Sequence, residues 1–249
     1  MSRGFTDIHH HLLWGMDDGA RSAEEMLAML RRASGEGIAR IIATPHVTPG
    51  IKPFDRQRFD RALSEARALC EEERLNVEIF AGAEILYTHQ TCRFLRDGRV
   101  PTLADTEYVL VEFSPDIPYA RLCGALAELL QSGYLPIIAH VERYDCLLRR
   151  PSRLLKLRRE LDIRCQVNCG TIIRRKGFFV RRFLKKIMDW NLLDAIATDA
   201  HHASPPRAAN MREAWNILRR EIGEVRADEL TNGHLLFEAA GGGKGEEDA

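Results

Sequence analysis

The sequence predicts a closed parallel α/β barrel of about seven or eight strands, and three observations lead there. Short β-branched apolar runs alternate with amphipathic helical windows along nearly the whole chain. The runs are apolar on both faces, as strands covered by helices must be. Neither a GxGxxG nor a Walker loop follows the first strand, which disfavours an open nucleotide-binding sheet and leaves the barrel.

The elements follow in order. The chain opens on an extended segment, Phe5-Thr-Asp-Ile-His-His-His11. Strands are then expected at residues 40–44 (RIIAT), 77–81 (VEIFA), 108–113 (YVLVEF), 135–139 (LPIIA), 164–168 (RCQVN) and 194–198 (DAIAT). Between them, apolar residues recur at helical spacing as core-facing stripes: Phe59/Ala62/Leu63/Ala66/Leu69, Leu122/Leu126/Leu129/Leu130, Phe179/Phe183/Ile187 and Met211/Ala214/Trp215/Leu218/Ile222. No internal repeat or linker interrupts them. A single domain is expected over residues 1–238, with a polar, glycine-rich and disordered tail at 239–249.

Composition narrows the function classes. The 249 residues, 45% hydrophobic, suffice for one full core. Lys+Arg and Asp+Glu both number 36, so no global charge excess points to nucleic acid or to disorder. No apolar run reaches the roughly 18 to 20 residues of a bilayer span, and no signal-peptide core follows Met1, so a cytoplasmic protein is expected. The six cysteines are scattered through helices and strands, which favours reduced thiols; the CxxxC pair Cys165 and Cys169 lacks a second pair that would make a zinc site.

The polar residues that stand out share a position. His9 and His11, two apart in an extended segment, point to one side and can grip one ion, while His10 faces away and is excluded. Asp18 follows in a DDG turn. His46 follows the second strand, Glu84 follows the third, Glu112 closes the next, and His140, Asp199 and His201 follow later strands. That end of a barrel is where sites are built. Nine imidazole and carboxylate ligands exceed the roughly four to six that one ion takes, which implies two or three ions, and N/O ligation without thiolates suits Mn, Fe or Zn. Clustered ions of this kind promote phosphoester hydrolysis by attack of a metal-bridging hydroxide, with a water or His201 protonating the leaving oxygen. Arg143 and Arg207, just past His140 and His201, are the candidate phosphate-binding cations. Tyr87 and Tyr119 are candidates for an aromatic-lined rim or for core packing.

The motifs DIHHH, DDG, ATPH, GAEI, VEFS, AHVERY and TDAH, in this order, resemble the capsule-regulating bacterial tyrosine phosphatases of the PHP (polymerase and histidinol phosphatase) superfamily over roughly residues 5 to 235. The resemblance implies a distorted (β/α)7 TIM-like barrel. It implies a trinuclear cluster, usually manganese, on His9, His11, Asp18, His46, Glu84, Glu112, His140, Asp199 and His201, with Arg143 on the phosphate. It further implies phosphotyrosine substrates, in particular the tail of a bacterial tyrosine autokinase that controls capsular or extracellular polysaccharide. Arg207 matches more loosely, because its prolines, Pro205 and Pro206, precede it.

Rival readings are a histidinol-phosphate or other small-molecule phosphatase of the same superfamily, a polymerase-associated nuclease, and a metal-binding protein without catalysis. A Cys-based phosphatase would use Cys169-Gly-Thr-Ile-Ile-Arg-Arg175, whose CxxxxxR spacing lacks the glycines of a phosphate loop and has Asn168 before the cysteine and Lys176 after the arginine. Residues 149–186 hold 14 Lys/Arg against Glu160 and Asp162 alone. This excess reads either as solvated helix faces or as a landing surface for an acidic phosphorylated tail or an anionic membrane.

Overall fold

The computed structural model describes residues 4–237, so the expected tail at 239–249 lies outside the described residues. The strands are β1 Phe5–His10, β2 Ile38–Ala43, β3 His46–Val47, β4 Glu78–Ala81, β5 Glu84–Leu86, β6 Tyr108–Glu112, β7 Leu135–Ile138, β8 Arg164–Asn168 and β9 Ala195–Ala197. All paired strands are parallel. They run in two hydrogen-bonded sets, β1-β2-β4 and β3-β5-β6-β7-β8-β9.

These nine segments make seven barrel strands. Thr44-Pro45 interrupts β2/β3 because proline offers no amide to the ladder. Gly82-Ala83 interrupts β4/β5, where a side chain on Gly82 would come within 2.6 Å of Ile42 Cγ2. The ring closes between first and last strands: His11 N–H donates to Ala200 O and Asp199 N–H to His9 O, both at 2.9 Å, and His10 bridges Ala200. The expected (β/α)7 barrel is therefore the observed architecture.

Helices α1 Ala23–Glu36, α2 Arg56–Glu72, α3 Thr91–Arg96, α4 Tyr119–Gln131, α5 Asp145–Leu148, α6 Ser152–Glu160, α7 Cys169–Arg174, α8 Phe178–Asp189, α9 Met211–Ile222, α10 Glu224–Glu229 and α11 His234–Phe237 clothe the strands. Their starts are written locally: Ser22 Oγ accepts from Glu25 N to cap α1, and Asp55 Oδ1 accepts from Arg58 N to cap α2. The predicted stripes of α2, α4 and α9 face the core, with Leu69, Leu130, Trp215 and Ile222 at its margin. The α8 stripe needs a correction. Phe183 and Ile187 are buried, but Phe179, in the first turn of α8 beside the exposed Phe178, is 46% exposed.

Alternation within the strands separates two cores. Outward residues such as Ile41, Val109, Val111, Ile138 and Val167 pack against helices. Ile42, Tyr108, Leu110, Ile137, Ala139, Ala195 and Ala197 form a second cluster, plugged by Leu236. These residues have the same parity as His46, Glu112 and Asp199, so this apolar layer fills the barrel beneath the polar one. β1 breaks its own alternation: Ile8 belongs to the apolar layer, yet His9 and His11 belong to the polar one. Register explains it, since Asp7 to His10 on β1 spans Ile41 to Ala43 on β2, three steps against two. The extra residue is a bulge that re-aims the histidines.

Candidate metal centre

The nine predicted residues converge at the carboxyl ends of the strands. Glu84, delivered by the β4/β5 break, lies at the junction and is 1% exposed. Its Oε2 is 3.1 Å from His9 Nε2, 3.2 Å from His11 Nε2 and 3.0 Å from His46 Nδ1. Its Oε1 is 2.7 Å from His140 Nε2. Glu112 Oε1 stands 3.3 Å from His46 Nδ1, and Asp18 Oδ1 stands 3.3 Å from His201 Nε2 and 3.5 Å from His46 Nε2. Asp199 Oδ1 closes the other side, 3.6 Å from His9 Nε2 and 3.5 Å from His11 Nε2. His140 (φ +33°) and Asp199 (φ +52°) both hold left-handed backbone at these positions, strain that the surrounding barrel imposes.

The donor atoms fit metal ions better than they fit one another. His9 Nε2 and His11 Nε2 face each other at 3.1 Å, and Glu84 Oε2 is buried among three ring nitrogens without a satisfied hydrogen bond. Lone pairs converging on shared points are what a cation requires and what hydrogen bonding wastes. Three overlapping groups emerge: His11, Asp18, His46 and His201; His9, His11 and Glu84; His46, Glu84 and Glu112. His140 and Asp199 flank them.

Electrostatics says the same. Burial opposes charge on His46, but the close carboxylates of Glu112 and Glu84 outweigh it and push the ring up to about 11. His140 rises to about 9 against burial, again through Glu112 and Glu84. His9 and His11 are also held above the usual imidazole range by facing carboxylates. Glu84, despite complete burial, is held well below its usual value by His9, His11, His140 and His46. The carboxylates demand positive charge at the centre, and protonated imidazoles are what the polypeptide alone can supply.

A second ring of side chains aims the donor residues. Asp17 Oδ2 accepts from His11 Nδ1 at 2.7 Å and from His46 N at 2.9 Å. Gln166 Oε1 faces His9 Nδ1 at 3.3 Å and accepts from His140 N at 2.8 Å. Gln166 Nε2 donates to Asn168 Oδ1, and Asn168 Nδ2 to Asp199 Oδ2, at 2.8 and 2.7 Å. Such partners fix tautomer and ring orientation. The motif reading missed all three. The signal for the amides was the alternation of polar Arg164, Gln166 and Asn168 with apolar Cys165 and Val167 in the RCQVN strand.

Both arginines reach the cluster. Arg143 Nη2 donates to Asp199 Oδ2 at 2.7 Å. Arg207 donates to Asp18 Oδ2 at 3.1 Å and lies 2.6 Å from His201 Nε2, in a loop closed by His201 N–H on Arg207 O at 2.9 Å. Beside Asp18, His46 and Glu112 opens a cavity of about 640 Å³, lined in part by Met16, Phe54, Lys52 and Arg58.

Other expectations fare differently. Tyr87 donates to Glu128 Oε2 and Tyr119 to Arg153 O, so both secure helices and neither lines the cavity. Cys169 is fully buried with its thiol pushed far up by desolvation, the opposite of a nucleophilic thiolate. His10 is buried with both ring nitrogens unpartnered, outside every ligand group. The basic excess of residues 149–186 is partly neutralised, Arg158 by Asp194, Arg175 by Glu221 and Lys185 by Asp189. No helix of the described residues is long and apolar enough to cross a membrane.

A parallel seven-stranded barrel that gathers five imidazoles and four carboxylates at its carboxyl end defines an α/β barrel with a candidate metal centre. The chain belongs to the capsular polysaccharide synthesis CpsB/CapC family, which it matches over residues 5–235. It is 30% identical over 231 residues to the tyrosine-protein phosphatase CpsB of Streptococcus pneumoniae, covering 90% of this chain and 93% of that one. It is 32% identical over 234 residues to the tyrosine-protein phosphatase YwqE of Bacillus subtilis, covering 93% and 91%. A solved structure from work on YwqE and CpsB, described as metal-dependent tyrosine phosphatases, superposes with a TM-score of 0.82 at 29% identity, covering 90% of each chain. A β-aspartyl dipeptidase from Fervidobacterium islandicum shares the fold alone, with a TM-score of 0.55 at 12% identity over 92% of this chain and 70% of that one.

Proposed function

We propose that this protein is a metal-dependent phosphatase that hydrolyses phosphotyrosine on proteins. The observation that carries the reading is the pairing of a largely buried N/O donor cluster, open to the cavity at Asp18 and His46, with two arginines, Arg143 and Arg207, each tied to a cluster carboxylate. His9, His11, Asp18, His46, Glu84, Glu112, His140, Asp199 and His201 are the residues that would hold the ions. The three overlapping donor groups support three ions, and the mixed imidazole–carboxylate set supports manganese, with iron or zinc as competitors. When bound, the ions would acidify water at the centre and draw charge from the phosphoryl oxygens.

The chain's own groups do the rest. Asp199 holds the Arg143 guanidinium against the cluster, and that side chain is still 47% exposed, so its remaining donors are free for phosphoryl oxygens. Arg207 approaches from the loop after β9, its Nη2 3.4 Å from Asp199 Oδ1, and the two planar cations stabilise charge that builds up on phosphorus oxygens in the transition state. Burial and the His11 charge push His201 down to about 3, which supports water over His201 as the proton source for the departing phenolate. With a leaving-group pKa near 10, little acid assistance is needed.

The substrate in view is the phosphorylated tail of a bacterial tyrosine kinase, whose dephosphorylation would set capsular or extracellular polysaccharide synthesis. The six free thiols, four of them buried, support a reducing cytoplasmic setting. The test compares a phosphotyrosine peptide with histidinol phosphate, using metal-stripped protein, manganese returned, and His9→Ala as control. Preference for the peptide, dependent on metal and on His9, is expected. Preference for histidinol phosphate would keep the barrel and its centre but sink the tyrosine reading.

A further inference from the structure

The geometry points to an anion-reading subsite beside the metal centre, in which Arg58, backed by Lys52, recognises an acidic group on the polypeptide next to the phosphotyrosine. This rests on the phosphotyrosine reading and names the substrate class more closely. The cavity of about 640 Å³ that opens beside Asp18, His46 and Glu112 lies within the range of roughly 300–1,000 Å³ that houses ligands larger than a single group. Met16, Val47 and Phe54 give it an apolar wall that can cover an aromatic ring or a stretch of peptide.

Arg58 is held in place without being neutralised. It stands in the first turn of α2, where Asp55 Oδ1 accepts its backbone N–H at 2.9 Å. Its guanidinium carbon lies 5.6 Å from the Trp14 ring centroid, and Trp14 is itself anchored by Nε1 donating to Glu65 Oε2 at 2.8 Å. The guanidinium also lies directly over Gly15 (φ +66°), where a Cβ would come within 2.0 Å of Nη2. Gly15 begins the turn that carries Asp17 and Asp18, so the cation rests on the ligand-bearing loop.

Among the described residues no carboxylate lies within ion-pairing distance of Arg58 or Lys52, whereas the neighbouring Arg56 is paired with Asp60 at 2.9 Å. The acids that share the cavity are already committed. Asp17 serves His11 and two backbone amides, Asp18 and Glu112 belong to the donor cluster, and Asp55 caps α2. Two uncommitted cations therefore face a cavity contiguous with the centre. A planar guanidinium with free donors recognises a carboxylate or a phosphate, which makes the favoured substrate a tyrosine phosphopeptide with an acidic or second phosphorylated neighbour.

The test uses the full-length, metal-loaded protein and three peptides alike except beside the phosphotyrosine, which is flanked by Ala, by Glu or by a second phosphotyrosine. Wild type is expected to favour the anionic peptides in kcat/KM by about tenfold, chiefly through KM, with the preference shrinking as salt is added. Arg58→Ala should remove most of that preference, Arg58→Glu should reverse it, and Lys52→Ala should weaken it. Preference for both anionic peptides supports a general anion reader, and preference for one identifies carboxylate or phosphate as its ligand. Equal rates on all three peptides in wild type, or an unchanged preference in both Arg58 variants, would overturn the assignment. Loss of free-phosphotyrosine hydrolysis in Arg58→Ala would overturn it too, by making Arg58 a prop for the Gly15 loop. If wild type hydrolysed no phosphotyrosine substrate, the phosphatase reading itself would fail.

Discussion

Asp17 and Asp18 are chain neighbours with opposite tasks: Asp18 faces the donor cluster, while Asp17 turns back to hold the His11 ring and the His46 amide. Asp17→Asn should therefore leave the ligand set whole yet weaken metal affinity about 10- to 100-fold, measured by titration of stripped protein. Glu84→Gln removes the anion on which His9, His11, His46 and His140 converge, so metal content and activity should fall together. Arg143→Ala should keep the metals, checked by elemental analysis, and lower kcat by about 10²- to 10³-fold, as for a lost oxyanion donor. A variant with full rate would remove Arg143 from the chemistry. Tyr144 is a residue of the HVERY motif with a structural role: its hydroxyl donates to Ala139 O at 3.1 Å and accepts from Phe113 N at 3.2 Å, tying the ends of β6 and β7 beneath the site.

At the scale of elements, the strands are also fastened at their amino ends, opposite the ends that carry the site. Arg158 of α6 makes a two-pronged pair with Asp194 just before β9, Nη1 to Oδ2 and Nη2 to Oδ1, both 2.6 Å. Asp194 Oδ2 also accepts from Cys165 N of β8 at 2.8 Å. Asp194→Ala strands a largely buried guanidinium and an amide, so a loss of roughly 3–5 kcal/mol is expected in chemical denaturation. A loss below about 1 kcal/mol, the value of an exposed pair, would show that the pair is not a clasp. Most strands were legible in the sequence because β-branched runs bounded by helical stripes have no other compact solution. The breaks at Thr44-Pro45 and Gly82-Ala83 were less legible. Each divides one barrel strand in two and delivers a donor, His46 or Glu84, at its second half.

For the whole molecule, the centre couples metal, protons and stability. Without ions, His46 and His140 titrate near 11 and 9 and so are protonated at neutral pH. An ion needs the neutral ring, so metal binding must expel protons, and apparent affinity should rise as pH rises toward those values. Calorimetry in two buffers of different ionisation heat checks this, and a buffer-independent heat would contradict it. Because the donors come from strands all round the barrel, binding favours the closed ring, and Tm should climb with manganese concentration beyond Kd.

What the sequence determined by itself was local and periodic. Strand and helix order, the HxH pair and the run of His, Glu and Asp at strand ends are properties of short windows, and parity alone placed His9 and His11 together. The tertiary structure decided what depends on distant segments meeting. It made Glu84 the junction rather than one ligand among nine. It brought Gln166 and Asn168 beneath His9 and Asp199, spent Tyr87 and Tyr119 on helix packing, exposed Phe179, and buried Cys169 away from any reaction. It also drew Arg207 onto Asp18, across 189 positions of sequence. The reason is physical: periodicity records which side of an element meets the core, whereas hydrogen bonds, desolvation and charge coupling depend on neighbours that only ring closure assembles.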